Sequence, residues 1–253
     1  MAIVFMDLDG TLLENGHPAK NSIEAIKMLK ANGHLPVVAT GRVPYLAEDI
    51  LQELQIDTYI CASGSYIVSR GMLLVEKKIE IPLIERLFEF ADLHKIDIVS
   101  EATNHYVAYR KETNQADLFA DYFQVKRPTV DKDYHYHHPI LAFNVFDHHI
   151  IDELRKEFPE FVINKASDLG YDINIKGDLK ADGMSYLVDY LKYPENEVYA
   201  IGDAYNDISM IQKAHTGIAM GNAKEEVKKV SDYVTTDVSV GGVYDALKHF
   251  GLI

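Results

Sequence analysis

Two aspartates, Asp7 and Asp9, follow directly on a run of apolar residues near the start of the chain. That run, over residues 3–6, is rich in β-branched and aromatic types and is typical of a strand buried on both faces. Carboxylates at the end of a buried strand could act as nucleophile, acid, base or metal ligand. Asp-Gly is also common turn chemistry, so the pair alone leaves both interpretations open.

Chemically active side chains also follow two other apolar runs, at residues 35–39 and 197–201. Together with a lysine at the start of a later predicted helix, they are Thr40, Asp203, Asn206, Asp207 and Lys180. The carboxyl ends of parallel strands share one edge of a sheet, and ligands bind there in open α/β folds. We therefore expect these side chains to lie close to the aspartate pair, although they are far apart in sequence.

The chemistry of this set indicates a metal and a phosphate. Three crowded carboxylates repel each other unless a divalent cation is bound, and hard oxygen ligands with few imidazoles favour Mg²⁺. A lysine, a threonine hydroxyl and the N–H groups at a helix start suit phosphate oxygens. A metal, a phosphate cradle and a free carboxylate together predict phosphoryl transfer through an aspartyl-phosphate.

Alternating strand and helix patterns at both ends of the chain must position these side chains. After the first strand, Asn21 and Glu24 form the pattern of a capping box at the start of a helix. Pro44 begins a helix that runs to about residue 54, and a third strand is predicted at 59–62. Such alternation is typical of right-handed βαβ units. The predicted fold is α/β, with a Rossmann-like doubly wound parallel sheet as its core.

The pattern changes over residues 81–178, which we predict to be an inserted α+β cap domain. Pro82 opens an amphipathic helix, and the neighbouring strands at 96–100 and 105–110 suggest antiparallel pairing. The other elements expected in this domain are helices near 115–123 and 149–158, and strands at 140–146, 161–164 and 171–175. Residues 1–80 and 179–253 form the predicted catalytic core, with a helix expected over 183–191.

Four segments together resemble, in order, the motifs of the haloacid dehalogenase-like phosphatases. They are Asp7-Leu8-Asp9-Gly10-Thr11, Thr40-Gly41-Arg42, Lys180 and Gly202-Asp203-Ala204-Tyr205-Asn206-Asp207. The later segment 217–223 resembles the Cof-type branch of sugar phosphatases in particular. The insertion between Thr40 and Lys180 resembles the type 2B cap of that branch, and the short interval after Thr11 leaves no room for the cap of phosphomutases and dehalogenases.

The resemblance implies a role for each matching residue. Asp7 would be the nucleophile, and Asp9 would be the acid/base that protonates the leaving alcohol and then activates water. Mg²⁺ would be held by the carboxylates of Asp7 and Asp203 and by the backbone carbonyl of Asp9. The phosphoryl group would be bound by Thr40, Gly41, Lys180 and Asn206. Asp207 would order the lysine and the waters of the metal.

The implied activity is that of a phosphoric monoester hydrolase acting on small phosphorylated metabolites such as sugar phosphates. Two alternatives remain open: transfer to an acceptor other than water, and a non-catalytic sensor of a phosphometabolite. Arg42, Asn174 and Lys176 are candidates for contacts that determine substrate specificity. The chain departs from the family at Ser63-Gly64, where relatives often carry Asn-Gly, and at 181–183, where many carry Lys-Gly. Both departures could alter the pocket beside the phosphate.

Composition limits the class of partner. The formal net charge of −14 and the pI near 5.2 argue against nucleic acid or an anionic membrane as the main partner. The single cysteine, Cys61, lies in an apolar run and predicts a buried structural thiol in a reducing compartment. The apolar runs predict neither a signal peptide nor a membrane span. We expect a cytoplasmic monomer or homodimer.

A group of histidines offers a second, competing metal site. His135, His137 and His138 lie close together in sequence, and His148-His149 follow. If His135 and His137 shared a strand face, the group could bind a transition metal. Because no cysteine or definite carboxylate partner accompanies them, we favour solvated loop and strand surface.

Overall fold

The computed structural model describes residues 1–122, 125–165, 169–177 and 180–253. Its strands are β1 (Ile3–Met6), β2 (Leu13–Glu14), β3 (His17–Pro18), β4 (Leu35–Ala39), β5 (Tyr59–Cys61), β6 (Tyr66–Ser69), β7 (Met72–Glu76), β8 (Ile98–Ala102), β9 (Tyr106–Arg110), β10 (Ile140–Val145), β11 (Phe161–Lys165), β12 (Tyr171–Ile175), β13 (Val198–Gly202), β14 (Thr216–Ala219) and β15 (Tyr233–Val234). Its helices are α1 (Ser22–Ala31), α2 (Pro44–Glu53), α3 (Ile81–His94), α4 (Gln115–Tyr122), α5 (Ile151–Glu157), α6 (Lys180–Leu191), α7 (Ile208–Lys213), α8 (Glu225–Val230) and α9 (Gly242–His249).

The contacts between residues divide the chain into two compact units. The first comprises Met1–Gly41, Glu48–Val75 and Leu179–Ile253, and the second comprises Arg42–Ala47 and Glu76–Asp178. The division into a catalytic core and a cap at residues 80/81 and 178/179 stays a prediction. Residues 178 and 179, at which the chain is predicted to pass from the cap back into the core, lie outside the described residues. So does residue 123, the predicted end of a helix.

Strand β1 lies near the middle of the larger sheet, whose order is β15-β14-β13-β1-β4-β5-β6-β7. It pairs in parallel with β13 and β4, so that Met6 is opposite Ile201 on one side and Val38 on the other. All four side chains of β1 are buried. Because side chains alternate along a strand, both faces of the sheet are covered, as the uninterrupted apolar run predicts.

One face of this sheet packs against two helices of the carboxyl-terminal segment. Ile3 and Phe5 of β1 share a hydrophobic cluster with Met184 and Leu187 of α6 and with Met210 of α7. The helices that follow the insertion are therefore fixed against the first strand by apolar burial, each large side chain contributing roughly 1.5–3 kcal/mol. The predicted α/β class is confirmed.

The sheet is mixed at one edge, which the sequence patterns did not indicate. β6 runs antiparallel to β5, and β7 follows as the edge strand. The two residues between them, Arg70 and Gly71, both have positive φ, as in the type I′ turn that joins two-residue hairpins. Arginine is an unusual residue at such a position, and the turn therefore carried no recognisable signal.

The second unit contains a sheet of the order β11-β12-β10-β8-β9, in which the neighbouring strands are antiparallel. This confirms the antiparallel pairing predicted for the strands near residues 98–110. One face of the sheet carries Phe143 and Ile173, which pack with Leu87 of α3 and Leu154 of α5. The core of the unit therefore lies between this face and the two helices.

The opposite face of this second sheet is polar. The strand register places Asn144 opposite Asp172, and Glu101 opposite Tyr106. The Asn144 Nδ2 donates to the Asp172 Oδ1 at 2.8 Å. Glu101 and Tyr106 are each only 4 % exposed, so a carboxyl group lies buried on a sheet whose other face is apolar.

Local details correct three expectations. Asn21 adopts a left-handed conformation and makes no side-chain cap, so the predicted capping box is wrong. Helix α6 begins at Lys180 and not at residue 183. His135 lies in a 3-10 turn, Tyr134–Tyr136, and not on a strand.

Among the described helices none is long and apolar enough to cross a membrane.

Candidate active site

Three strand ends deliver polar side chains to the same edge of the larger sheet. Asp7 follows β1, Thr40 follows β4 and Asp203 follows β13. The backbone N–H of Asp7 donates to the Ile201 carbonyl at 3.0 Å, which extends the parallel pairing to the first reactive position. Asp7 is 5 % exposed and Thr40 is 1 % exposed. The convergence expected from the parallel sheet is therefore present.

Lys180 joins two of the carboxylates. Its Nζ lies 2.5 Å from the Asp7 Oδ1 and 2.6 Å from the Asp207 Oδ1, and its side chain has no exposed surface. The other carboxylate oxygen of Asp207 accepts the backbone N–H groups of Asp203 and Ala204, each at 3.0 Å. Both oxygens of Asp207 are thus engaged, and this side chain fixes the lysine and the start of the loop after β13.

The charges of this cluster are not balanced by the protein alone. Burial raises the pKa of the Asp7 carboxyl well above its usual value, Lys180 lowers it, and the charges of Asp207 and Asp203 raise it further. Burial and the charge of Asp207 likewise raise the pKa of Asp203 to about 7. Burial would lower the pKa of Lys180, but the Asp207 and Asp7 carboxylates raise it above the usual value for a lysine. We therefore place a proton on Lys180. Its single positive charge is not enough to balance the carboxylates of Asp7, Asp203 and Asp207.

The donor set of the cluster fits a small divalent cation. Carboxylate oxygens of Asp7, Asp203 and Asp207 lie within 4.8 Å of one another, and this is the one such group of three among the residues that the structure describes. Hard carboxylate oxygens suit Mg²⁺, and a cation would offset the burial and the carboxylate repulsion that raise the two aspartate pKa values. Because Asp207 already binds Lys180 and two backbone N–H groups, Asp7 and Asp203 are the better metal ligands.

The turn after Asp9 is built to pack against Asp203. Gly10 has a φ of +81°, and a Cβ atom at this position would overlap the Asp203 carboxylate. The next residue, Thr11, donates its hydroxyl to the Asp203 Oδ1 at 3.0 Å. Glycine is therefore required here both by the left-handed conformation and by the close approach.

Asn222, from the segment that resembles the Cof-type branch, holds the same turn from the other side. Its Nδ2 donates to the Gly10 carbonyl at 2.8 Å, and its Oδ1 accepts the backbone N–H of Val238 at 2.9 Å. One side chain thus connects the turn after β1 to the segment before α9. The sequence pattern singled out this motif without assigning Asn222 a function.

Gly41, Asn206 and Ser63 lie together next to Thr40. A Cβ atom built on Gly41 would lie 3.6 Å from the Ser63 Oγ and 3.7 Å from the Asn206 Nδ2. Ser63 was noted in the sequence only as a departure from the family pattern. Its backbone N–H donates to the Thr40 carbonyl at 3.1 Å, so the hydroxyl is held beside the predicted phosphate-binding residues.

The three candidate specificity residues belong to the second unit. Arg42 donates from Nη1 to the Leu46 carbonyl at 3.1 Å. Asn174 lies on β12 and is 6 % exposed, and its buried Oδ1 has no hydrogen-bond partner among the described residues. Lys176 follows β12 and is exposed. The structure does not test whether these residues contact a substrate, and their role stays a prediction.

Among the described residues, the histidines do not bring three potential ligand atoms within 4.8 Å of one another. His135 is buried and packs edge-on against Phe88, with the two ring centroids 5.1 Å apart. Burial lowers its pKa, although the nearby Glu85 acts in the opposite direction. The expectation of a solvated surface is therefore wrong for His135, which belongs to the aromatic packing of its unit.

Comparison with known proteins agrees with this geometry. A family of haloacid dehalogenase-like hydrolases matches residues 4–247. The Bacillus subtilis protein YkrA, provisionally named as a phosphatase, is 29% identical over 99% of this chain and 98% of its own length. The 5-amino-6-(5-phospho-D-ribitylamino)uracil phosphatase YcsE of the same organism is 27% identical over 99% of this chain and 96% of its own length.

Solved structures show the same relationship. A hypothetical protein from Geobacillus kaustophilus is 32% identical, with a TM-score of 0.92 over 100% of this chain and 99% of the other. A subclass IIB sugar phosphatase of the haloacid dehalogenase superfamily is 28% identical, with a TM-score of 0.87 over the whole of both chains. The chain therefore belongs to the haloacid dehalogenase-like hydrolases, as an enzyme of their Cof-type phosphatase branch.

Proposed function

We propose that this protein is a Mg²⁺-dependent phosphatase that hydrolyses small phosphorylated metabolites through an aspartyl-phosphate. The observation that carries the proposal is the pair of contacts from the Lys180 Nζ to Asp7 and Asp207, inside a cluster of three carboxylates. The positive charge of the buried lysine opposes the effect of burial on Asp7 and orients its carboxylate, as a carboxylate nucleophile requires. In a merely structural turn, such a cluster would serve no purpose and would be costly to bury.

In the first half-reaction, one carboxylate oxygen of Asp7 attacks the phosphorus of a phosphomonoester. The bond from phosphorus to the alcohol oxygen breaks, and Asp9 gives its proton to that oxygen as the alcohol leaves. Thr40, the Gly41 backbone, Lys180 and Asn206 bind the oxygens of the transferring group. Asp207 keeps Lys180 in place throughout.

In the second half-reaction, Asp9 takes a proton from a water molecule. The resulting hydroxide attacks the phosphorus of the aspartyl-phosphate, inorganic phosphate leaves, and Asp7 is regenerated as a carboxylate. Asp7 and Asp203, with the backbone carbonyl of Asp9, would hold Mg²⁺. When bound, the cation supplies positive charge that neutralises the phosphoryl oxygens.

The substrate class follows from the relatives and from the predicted domains. Relatives named for sugar phosphates and for a phosphorylated ribityl compound support small phosphomonoesters with polar leaving groups. We assign residues 81–178 to a cap that selects the leaving group. Asn174 and Lys176 of this cap, together with Arg42, which precedes it in the chain, are candidate contacts. The single buried thiol, Cys61, is compatible with the cytoplasm, where we expect the protein to act as a monomer or homodimer.

The test is turnover of p-nitrophenyl phosphate with Mg²⁺, comparing the wild-type protein with Asp7→Asn. Loss of the nucleophile is expected to lower kcat by about a thousandfold or more, and EDTA is expected to abolish turnover. Asp152→Asn is the matched control, since Asp152 lies in α5 with an exposed side chain. Near wild-type turnover of Asp7→Asn would exclude the covalent mechanism. Phosphate binding without any wild-type turnover would favour the sensor alternative.

A further inference from the structure

Two successive residues after β5 adopt a conformation that L-amino acids rarely take. Ala62 has a φ of 47° and Ser63 a φ of 50°, and neither is a glycine or an asparagine. Each such position costs on the order of 1 kcal/mol. Strain of this kind persists where the surrounding structure imposes it, and it is often associated with function.

The strained turn fixes the Ser63 side chain beside the predicted phosphate-binding loop. The Thr40 backbone N–H donates to the Ile60 carbonyl at 2.9 Å, and the Ser63 N–H donates to the Thr40 carbonyl at 3.1 Å. These two bonds tie the end of β5 to the end of β4. An unstrained chain at Ala62 and Ser63 would leave in another direction and carry the hydroxyl away from Gly41.

The missing side chain of Gly41 leaves room for at least one heavy atom. Gly41 does not have a positive φ, so its backbone does not demand glycine. A Cβ atom there would make only ordinary contacts, at 3.6 Å from the Ser63 Oγ and 3.7 Å from the Asn206 Nδ2. The space is therefore bounded by two hydrogen-bond donors, a hydroxyl and an amide, which is an environment that suits an anionic oxygen.

We propose that the Ser63 hydroxyl donates a hydrogen bond to a non-bridging oxygen of the phosphoryl group, in the space beside Gly41 and opposite Asn206. The inference rests on the proposed function, because it adds a phosphate contact to that site. It also gives a reason for the backbone strain, since the left-handed turn aims the hydroxyl at this space.

The experiment measures the Kd of inorganic phosphate by isothermal titration calorimetry with Mg²⁺ present. Ser63→Ala keeps the turn but removes the donor, and we expect the Kd to rise about tenfold for one charge-assisted hydrogen bond. Ser63→Asn retains an N–H donor and tolerates the left-handed conformation, and its Kd is expected to stay within about threefold of wild type.

Two further variants separate the hydroxyl from the backbone. Gly41→Ala would fill the space without a steric conflict with the protein, and we expect weaker phosphate binding by more than about tenfold at an unchanged melting temperature. Ala62→Gly relieves the neighbouring strain but leaves the hydroxyl in place. Its phosphate Kd is expected to match the wild type.

Several results would overturn the inference. A Ser63→Ala Kd within twofold of wild type would show that the hydroxyl does not bind phosphate. An equal loss in Ala62→Gly and Ser63→Ala would assign the effect to the backbone. Turnover of p-nitrophenyl phosphate, measured on the same wild-type preparation, reports separately on the proposed function, because phosphate binding does not require turnover.

Discussion

Lys180 is a buried cation whose two close partners, Asp7 and Asp207, are also buried. Replacing it by methionine keeps a similar volume but leaves two carboxylates without their counter-charge. We expect Lys180→Met to lower the free energy of unfolding by about 3–5 kcal/mol, as measured by urea denaturation. Lys27→Met, on the exposed side of α1, is the control. Unchanged stability of Lys180→Met would mean that the carboxylates are compensated in another way.

Glu101 is a second residue whose charge state is set by burial. Burial raises the pKa of its carboxyl well above the usual value of 4.5, and the charge of Asp172 raises it further. A raised pKa means that the folded protein binds the Glu101 proton more tightly than the unfolded chain does. The stability that this proton binding contributes is fully present below pH 4.5 and is lost as the pH rises from 4.5 towards the raised pKa. Sequence patterns missed this group, because Glu101 lies just after the strand predicted at 96–100, whereas the observed strand β8 includes it.

The prediction is that Glu101→Gln removes this pH dependence. The neutral side chain has the same shape, so the variant should be more stable than the wild type at neutral pH and equally stable below pH 4.5. Melting temperatures measured from pH 4 to pH 8 give the comparison. Glu89→Gln, at an exposed position of α3, is the control, and its difference in melting temperature from the wild type should not change with pH. A constant difference for Glu101→Gln would refute the assignment.

At the scale of elements, the approach of α6 to β5 sets the position of Lys180. Gly183 lies in the first turn of α6, and a Cβ atom there would lie 2.9 Å from the Ile60 Cγ2. We expect Gly183→Ala to cost about 1–3 kcal/mol of stability and to lower turnover by displacing Lys180. Ile60→Ala should partly relieve the conflict, so the double variant should lose less stability than the sum of the single variants. Additive losses would contradict this packing.

Most of the candidate site could be predicted from the sequence because its residues stand at element ends. Apolar runs that stop at Asp7, Thr40 and Asp203 indicate parallel strands, and a parallel sheet brings such ends together. Nothing in the sequence shows the direction of a side chain within a turn. The contacts of Asn222 and the placement of Ser63 therefore required the structure.

The fold was harder to predict where local signals were weak or misleading. The sequence at Asn21 has the residues of a capping box, but the chain enters α1 in a left-handed conformation and the side-chain cap is absent. Strands β6 and β7 are joined by Arg70 and Gly71, which have the positive φ angles of a type I′ turn, although arginine is not a residue type usual for such a turn. In both places tertiary packing overrides the local preference.

At the scale of the whole molecule, the cation site proposed among the carboxylates should make stability depend on Mg²⁺ beyond any screening of the net negative charge. The chain has a formal net charge of −14, and the carboxylates of the site are part of it. At 100 times the Kd, Mg²⁺ should stabilise the fold by about 2.7 kcal/mol, or roughly 5–10 °C in melting temperature. Asp203→Asn should lose this shift. NaCl at the same ionic strength is the control, and an equal effect of NaCl would indicate charge screening alone.

The central position of β1 has a consequence for biosynthesis. Thr11 and its partner Asp203 are separated by 192 positions in the chain, and β13 occupies the sheet position beside β1. At about 5–20 residues per second, a ribosome needs roughly 10–40 s to cover that interval. During this time the nascent chain carries Asp7 beside an unpaired strand edge. Protection of this edge against pairing with other chains should therefore matter early, well before Asp203 can join Asp7 in the site.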